Sequence, residues 1–242
     1  MRSSRLVTAL RYGVATALAL LFLLPFYVIV RNAFSTNQNI TAPRWSWLPD
    51  QLNLANLDSM LSSDSTGVLR GLLNSAIMTI LQTVGTVVVS LMAGYGLARF
   101  THRLSKVVLG LTVFTLMVPA ATTFVPMFII TAQFGWIDSF RGLVIPGMFS
   151  AFATYLFRQA FLDFPSELED AALMDGCNPF TAFWRIVVPN STGTVAAVGT
   201  IVLIGSWNAF LWPSLVGREA TRTVQVALSQ YMTSQNVRYP EL

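Results

Sequence analysis

The stretch GLLNSAIMTILQTVGTVVVSLMAGYGLA, residues 71–98, contains no charged side chain. An α-helix rises 1.5 Å per residue, so about 20 apolar residues cross a hydrocarbon core of roughly 30 Å. One charge at the centre of such a helix costs about 2.5–3.5 kcal/mol on insertion scales, which explains why the stretch has none. The stretch therefore predicts a helix that spans a membrane.

Four further uncharged runs lie on either side of this stretch. They cover Tyr12–Val30, Val107–Ile137, Gly142–Phe157 and Ile186–Gly217. In lipid only helices and closed barrels satisfy every backbone polar group, and these runs are too long and continuous for barrel strands. The first run is also longer than the apolar core of a signal peptide. The fold class predicted is an all-α membrane protein, a polytopic helical bundle with five spans.

The composition of the 242-residue chain agrees with this class. Hydrophobic residues make up 54% of the chain and charged residues 11%, whereas about a quarter of a soluble domain is charged. The net charge of +4 is carried between apolar runs rather than on a basic surface, so we expect no nucleic-acid partner. Cys177 and His102, the only Cys and His, exclude an intrachain disulfide and a His/Cys zinc site.

Basic residues near short loops predict the orientation, because they collect on the cytoplasmic side of a membrane. They place the N-terminus in the cytoplasm, and residues 31–70 and 218–242 outside. The predicted division is 1–33 for the N-terminal tail and first helix, 34–69 for an extracytoplasmic segment, and 70–242 for a core domain. The basic residues that support this orientation are Arg2, Arg5, Arg11, Arg99, Arg103, Lys106, Arg158 and Arg185.

The loop between the fourth and fifth runs, Phe164–Pro189, is the most informative segment. Its start is acidic, and a short acidic helix suits a protein partner better than anionic lipid headgroups, which attract Lys and Arg. An interfacial helix that merely joins two spans is the alternative. Five of the eleven acidic residues of the chain lie within thirteen positions here: Asp163, Glu167, Glu169, Asp170 and Asp175.

Local rules predict two helices in this loop. Ser166 and Glu169 have the spacing of a capping box, which predicts a helix start at Ser166. Gly176 is placed to end that helix in a left-handed conformation, and Asn178 with Pro179 predicts the cap and first position of a second helix. One face of the first helix, with two alanines that permit close approach, comprises Leu168, Ala171, Ala172 and Asp175.

The same loop resembles a known family. Asp170-Ala171-Ala172, three residues, Gly176, nine residues and Ile186-x-Val188-Pro189 are similar to the EAA loop of ABC importer permeases. That pattern reads Glu-Ala-Ala, three residues, Gly, nine residues and Ile-x-Leu-Pro, so this chain has Asp for Glu and Val for Leu. Stretches such as AGYGLARF from Ala93 and GSWNAFLWP from Gly205 resemble the carbohydrate-uptake branch, the maltose-type second permease.

The resemblance covers most of residues 20 to 240 and implies the type I ABC importer permease fold. Five spans would be present and the sixth span of the family missing, because residues 230–242 are polar. On this resemblance we expect a core of 70–242, holding helices 2–5 and the coupling loop 163–186, that is truncated at its C-terminus. The implied location is the bacterial cytoplasmic membrane.

The resemblance also implies partners and site residues. We expect a second homologous permease subunit, two ATPase subunits, an extracytoplasmic solute-binding protein and the lipid bilayer. This chain would bind no cofactor, and ATP with magnesium would bind to the ATPase subunits. The residues implied to couple to the ATPase are Glu167, Glu169, Asp170, Ala171, Ala172, Asp175, Gly176, Ile186 and Pro189.

The implied function is ATP-driven import of a sugar or oligosaccharide, with this chain forming half of the translocation path. The alternative is the same mechanism for glycerol phosphate, an amino acid or a peptide. Polar residues within spans are candidates for the path, since hydrogen-bond partners are scarce in lipid. Besides Tyr95, the predicted path residues are Asn74, Gln82, Trp207 and Asn208.

Other function classes fit the sequence less well. The sole lysine, Lys106, lies between Ser105 and Val107, so it has no phosphate-binding GxxxxGK[ST] context. We therefore predict a permease subunit rather than an enzyme. A secondary transporter would need ionisable residues inside its spans for ion coupling. Pro119 and Pro126 predict kinks in the third span, and small residues such as Gly94 and Gly96 predict close helix contacts.

Overall fold

The computed structural model describes residues 5–49, 51–62, 67–100, 102–230, 232–233 and 236–237. The described chain is helical, apart from short connections and one antiparallel pair of two-residue strands. The predicted absence of a sixth span in 230–242 falls largely outside the described residues. The elements are α1 Arg5–Ala33, α2 Asn37–Ile40, α3 Ala55–Ser62, α4 Val68–Arg99, α5 Arg103–Leu116, α6 Ala120–Gln133, α7 Phe140–Val144, α8 Ala151–Leu162, α9 Ser166–Met174, α10 Pro179–Ala182, α11 Val188–Asn190, α12 Thr192–Trp207, α13 Leu211–Val216, α14 Val224–Ser229, β1 Met232–Thr233 and β2 Asn236–Val237.

Two helices, α1 and α4, are long and apolar enough to cross a membrane unbroken. Three helix pairs meet the same test only when they are taken together. The first pair is α5 and α6, with a bend of 105° between them. The second is α7, continued by a 3₁₀ turn at Ile145–Met148, and α8, with a bend of 42°. The third is the helical segment Pro179–Asn190 and α12, with a bend of 79°. Counting each bent pair as one span gives up to five spans by length and composition, which is the number predicted.

The uncharged runs differ in length from two of the spans. The fourth run is short for a span, which predicts extension by flanking residues such as Phe161, and α8 indeed continues past Phe157 to Leu162. The fifth span does not reach Gly217, since α12 ends at Trp207 and a separate helix, α13, contains Pro213. Proline lacks the N–H that a continuing helix would donate. In the third span the break falls at Pro119, which caps α6, so the kink predicted there is confirmed.

The chain divides into two compact units, residues 70–226 and residues 1–69 with 227–242. In the second of these, Arg31 near the end of α1 is buried and organises the segment that follows. Its guanidinium donates to Asn39 and to Ser46 and lies 4.9 Å from the ring centroid of Trp45. The domain boundaries predicted from sequence stay a prediction.

In unit 70–226 the core joins α4, α8 and the start of the fifth span. Its most buried side chains come from all three regions: Leu91, Ala153, Phe157, Phe161, Phe183, Val187 and Val198. Gly94 lies where α4 and α8 approach most closely, because a Cβ there would be 2.8 Å from Cβ of Phe157 and 3.0 Å from the carbonyl oxygen of Thr154. The close helix contact predicted at Gly94 is therefore confirmed, whereas a Cβ at Gly96 would meet only Phe100, at 3.7 Å.

At the other end of α4 the segment after α13 is held by Asp138, which lies in the loop between α6 and α7. Oδ1 of Asp138 accepts hydrogen bonds from the backbone N–H groups of Arg218 and Thr221, at 2.9 and 3.0 Å. Burial raises the pKa of Asp138, but the bonds donated by Arg218, Thr221 and Ala220 lower it below its ordinary value of 3.8. The ionised form of Asp138 is thus the one that the fold stabilises.

Gly94→Ala should destabilise the bundle, because the added methyl group meets backbone atoms of α8 that cannot move aside. Overpacking of this kind typically costs about 1–3 kcal/mol. Thermal unfolding of the protein in mild detergent measures the effect. Gly96→Ala is the matched control and should be neutral or slightly stabilising, since alanine favours a helix by up to about 1 kcal/mol. Equal unfolding temperatures for both variants would contradict the close approach.

Asp138→Asn should destabilise the 218–221 segment by about 1–3 kcal/mol at neutral pH, because an amide replaces the charged acceptor. Since the pKa of Asp138 is lowered by folding, its contribution is present above 3.8 and is lost as the pH falls through the folded value. The unfolding temperatures of the two proteins should therefore converge in acid. A difference that persists unchanged at a pH well below 3.8 would show that ionisation is irrelevant.

Candidate functional site

The helix α9 begins where the sequence predicts, but not by the predicted cap. Ser166 is its first residue, Pro165 precedes it, and no side chain caps the N-terminus. The predicted capping box is therefore wrong. The carboxylate of Glu169 turns inward instead, because Arg99 offers charge-assisted donors, which bind a carboxylate more strongly than a neutral N–H does.

Glu169 makes the principal polar contact between α9 and α4. Its Oε1 accepts from Nε of Arg99 at 2.8 Å and also from Nη2 of the same guanidinium. Its Oε2 accepts from the hydroxyl of Tyr95 at 2.6 Å. Glu169 is only 7% exposed, so the ion pair is shielded from water. The coupling role predicted for Glu169 stays a prediction; its side chain contacts α4 within this chain.

The C-terminal end of α9 follows the prediction. Gly176 has φ of 86°, in the left-handed region, and its N–H donates to the carbonyl of Leu173 at 3.1 Å. The N–H of Cys177 reaches back to the carbonyl of Ala172 at 3.0 Å, which completes a glycine-terminated helix end. Asn178 caps α10 by accepting from the N–H of Thr181 at 2.8 Å, and Pro179 is the first helical residue. All three predictions are confirmed.

The chain returns to the fifth span through a π-helical turn, Phe183–Val187, that sequence analysis missed. The N–H of Val188 donates to the carbonyl of Phe183, five residues earlier. Pro189 was a usable signal, because it has no N–H to continue the regular ladder. Of the two residues predicted here, Ile186 is half-buried and Pro189 is exposed.

The outward face of α9 combines carboxylates with apolar side chains. Ala171 is exposed, but Ala172 is 4% exposed and packs inside the chain, so the predicted face with both alanines is wrong. Sequence analysis did not identify Met174 and Phe180 as candidate contact residues, although both lie in the loop Phe164–Pro189. Their exposed fractions are 88% and 65%. We call this set the outward face; it comprises Glu167, Leu168, Asp170, Ala171, Met174, Asp175 and Phe180.

Two of the predicted path residues have structural partners within the chain. The amide nitrogen of Asn74 donates to the carbonyls of Ala220 and Arg222, at 3.2 and 2.9 Å. The amide oxygen of Gln82 accepts from the hydroxyl of Ser206 at 2.8 Å, which ties α4 to α12. These contacts explain both residues without a solute.

The other two path residues lie at the end of α12. Asn208 is exposed and its amide nitrogen donates to the carbonyl of Ile204 at 2.8 Å, while Trp207 is half-buried. Trp207 is the last residue of α12 and Asn208 follows it directly. Of the four predicted residues, Asn208 is the one that is exposed.

Residues 85–240 match the family described as the binding-protein-dependent transport system inner membrane component. The chain belongs to this family of membrane components of binding-protein-dependent importers. It is 35% identical over 220 residues to the sn-glycerol-3-phosphate transport system permease protein UgpE of Yersinia pestis bv. Antiqua (strain Antiqua). That match covers 89% of this chain and 78% of the relative.

Two further similarities agree. The permease of the same name from Pectobacterium atrosepticum is 34% identical over 214 residues, covering 87% of this chain and 75% of that protein. A chain of a bacterial ABC transporter that imports the acidic polysaccharide alginate has the same fold, with a TM-score of 0.83 and 24% identity. The structural match covers 98% of this chain and 84% of the alginate transporter chain.

The predicted family and fold class are thereby confirmed. The protein is a permease subunit of an ABC importer, located in the inner membrane, with the type I importer fold. Such a subunit works in a system that includes a solute-binding protein, a partner permease and an ATPase.

Proposed function

We propose that this chain forms half of the path of an importer for a carbohydrate-class solute, and that α9 is its docking helix for an ATPase subunit. The observation that carries the docking role is the outward face of α9. It presents three carboxylates and three large apolar side chains on α9 and the residues that follow it to Phe180, and Glu169 anchors the opposite side of α9.

The composition of the outward face supports a protein partner. Exposed methionine and aromatic side chains, such as Met174 and Phe180, are enriched where proteins bind each other. Ala171 precedes both in sequence, and its small side chain lets a partner approach the backbone closely. The flanking acids Glu167, Asp170 and Asp175 favour a partner with a basic rim around an apolar cleft.

The predicted coupling residues then fall into two groups. Those that touch the partner are Glu167, Asp170, Ala171 and Asp175, with Met174 and Phe180 added from the structure. Those that shape the segment are Glu169, Ala172, Gly176, Ile186 and Pro189. Glu169 and Ala172 are in the second group because they are buried, and Ile186 because it is half-buried. Gly176 and Pro189 are exposed, but they end α9 and interrupt the helical hydrogen bonds, so they shape the segment.

The proposed assembly contains a second homologous permease, two ATPase subunits and an external binding protein. ATP and magnesium bind to the ATPase subunits, and their closure draws the docking helices together. The N-terminus of this chain and α9 lie on the cytoplasmic side, as the basic residues near short loops predict. For transport, each nucleotide state must favour one arrangement of the spans over the other.

The relatives support sn-glycerol 3-phosphate as the first solute to test, because the permeases that match most of this chain are named for it. A neutral sugar or oligosaccharide is the second candidate. Trp207 and the exposed Asn208 favour it, since an indole face and an amide suit the ring and the hydroxyl groups of a sugar.

Ala171→Glu should abolish association with the ATPase subunits while leaving membrane insertion intact. An unpaired charge buried in an interface typically costs about 3–5 kcal/mol, which corresponds to at least a hundredfold weaker binding. Purification in mild detergent, with the ATPase retained per permease chain as readout, measures it. Ala171→Ser keeps the side chain small and should retain the ATPase. If the glutamate variant retains it too, the docking role is wrong.

Cells that lack this chain should lose uptake of radiolabelled sn-glycerol 3-phosphate and regain it with the wild-type gene but not with Ala171→Glu. A panel of labelled neutral sugars is measured in the same cells. Loss of uptake of one sugar, with uptake of sn-glycerol 3-phosphate unchanged, selects the second candidate. Ala171→Glu should abolish uptake of whichever compound is the solute, because docking of the ATPase is needed for any of them. Undiminished uptake of every compound would refute the carbohydrate-class assignment.

A further inference from the structure

α9 is attached to the rest of unit 70–226 by very little apolar contact. Of its nine residues, only Glu169 and Ala172 are buried. The connections on either side are a proline at Pro165 and a left-handed glycine at Gly176, neither of which continues the helix. The position of α9 therefore depends on the polar contacts of Glu169 rather than on a hydrophobic stripe.

Those contacts converge on the last turn of α4. Tyr95 and Arg99 are four residues apart, so they lie on one face of that helix and reach the two oxygens of the same carboxylate. Nη2 of Arg99 also donates to the carbonyl of Phe164 at 3.1 Å, immediately before α9. The guanidinium of Arg99 thus binds both α9 and the segment that leads into it.

α4 is suited to carry motion because it is unbroken over 32 residues. Every other span of unit 70–226 contains a bend of at least 42°. Near its opposite end, Asn74 holds the carbonyls of Ala220 and Arg222, and the hydroxyl of Ser75 accepts from the N–H of Val224 at 2.9 Å. At 1.5 Å per residue, the two sets of contacts lie about 30 Å apart along α4.

We propose that Tyr95, Arg99 and Glu169 fasten α9 to α4 as positioning residues, and that α4 transmits movement of the docking helix to the 218–224 segment. This inference rests on the proposed docking role of α9. It assigns Glu169 to transmission rather than to binding, so loss of its contacts uncouples the two ends while the ATPase stays bound.

The test uses the complete complex in lipid nanodiscs, which leave both faces of the membrane open to the medium, with Cys177→Ser and Arg218→Cys as the parent protein. Arg218 is exposed, and its backbone N–H, not its side chain, binds Asp138. The readout is the rate at which a membrane-impermeant thiol reagent modifies the new cysteine, without nucleotide and after trapping with ATP and vanadate. No solute is needed, so the result does not depend on which solute is transported.

In the parent complex the rate of modification should change on trapping. In Glu169→Ala the ratio of the trapped to the free rate should fall to about one, because the helix no longer moves α4. Tyr95→Phe should give an intermediate ratio, since one of the hydrogen bonds is lost. It keeps the ring packed against Phe161 and Phe183, at 5.8 and 4.6 Å between centroids.

Asp163→Ala is the control. It removes a carboxylate from an exposed position just before α9 that is not part of the outward face, and should leave the ratio at the parent value. ATPase retention is measured for every variant, so that loss of coupling is separated from loss of docking, which Ala171→Glu tests.

Three outcomes would overturn the proposal. One is a parent rate that does not respond to trapping, and another is a Glu169→Ala ratio equal to the parent's. The third is loss of the ATPase from Glu169→Ala but not from Asp163→Ala, which would assign Glu169 to docking. If Glu169→Ala fails to accumulate, Tyr95→Phe decides alone, and an unchanged ratio there refutes the role of its hydroxyl.

Discussion

Hydrocarbon cannot solvate charge, and the remaining features of this protein follow from that constraint. Charged side chains are kept to the ends of the spans, so the polar chemistry of unit 70–226 concentrates in two places. At one end Glu169 is neutralised by Arg99, and at the other the carboxylate of Asp138 is satisfied by N–H and hydroxyl donors. Each cluster fixes a segment that apolar packing alone does not hold.

The buried ion pair shows why charge can be retained beside a membrane. A shielded pair gains little net stability over an apolar one, but breaking it by removing one partner is costly. The contact is therefore better suited to specifying where α9 lies than to stabilising the bundle. The aromatic rings packed around Tyr95 stabilise the bundle instead. The ring centroids of Phe161 and Phe183 lie 5.8 and 4.6 Å from that of Tyr95.

The two sides of α9 differ in what they contact. Acids and apolar side chains are exposed on its outward face, where we propose that a partner docks, while the inward face contributes the carboxylate of Glu169 to α4. Because α4 is the unbroken span of unit 70–226, displacement at one end need not be absorbed by a bend. Two of the bent spans have their breaks at Pro119 and near Ser191.

The sequence by itself determined the class, the five apolar spans and the local ends of α9 and α10, because charge exclusion, glycine at positive φ and Asn-Pro caps act over a few residues. It also determined the family, since the spacing from Asp170 to Pro189 is local. Only the tertiary structure decided which side of α9 faces outward. A long-range pair with Arg99 outcompeted the capping box at Glu169, and partners in α12 and the 218–224 segment gave Gln82 and Asn74 structural roles. Sequence periodicity does not encode such contacts, because their energies depend on groups brought together from distant parts of the chain.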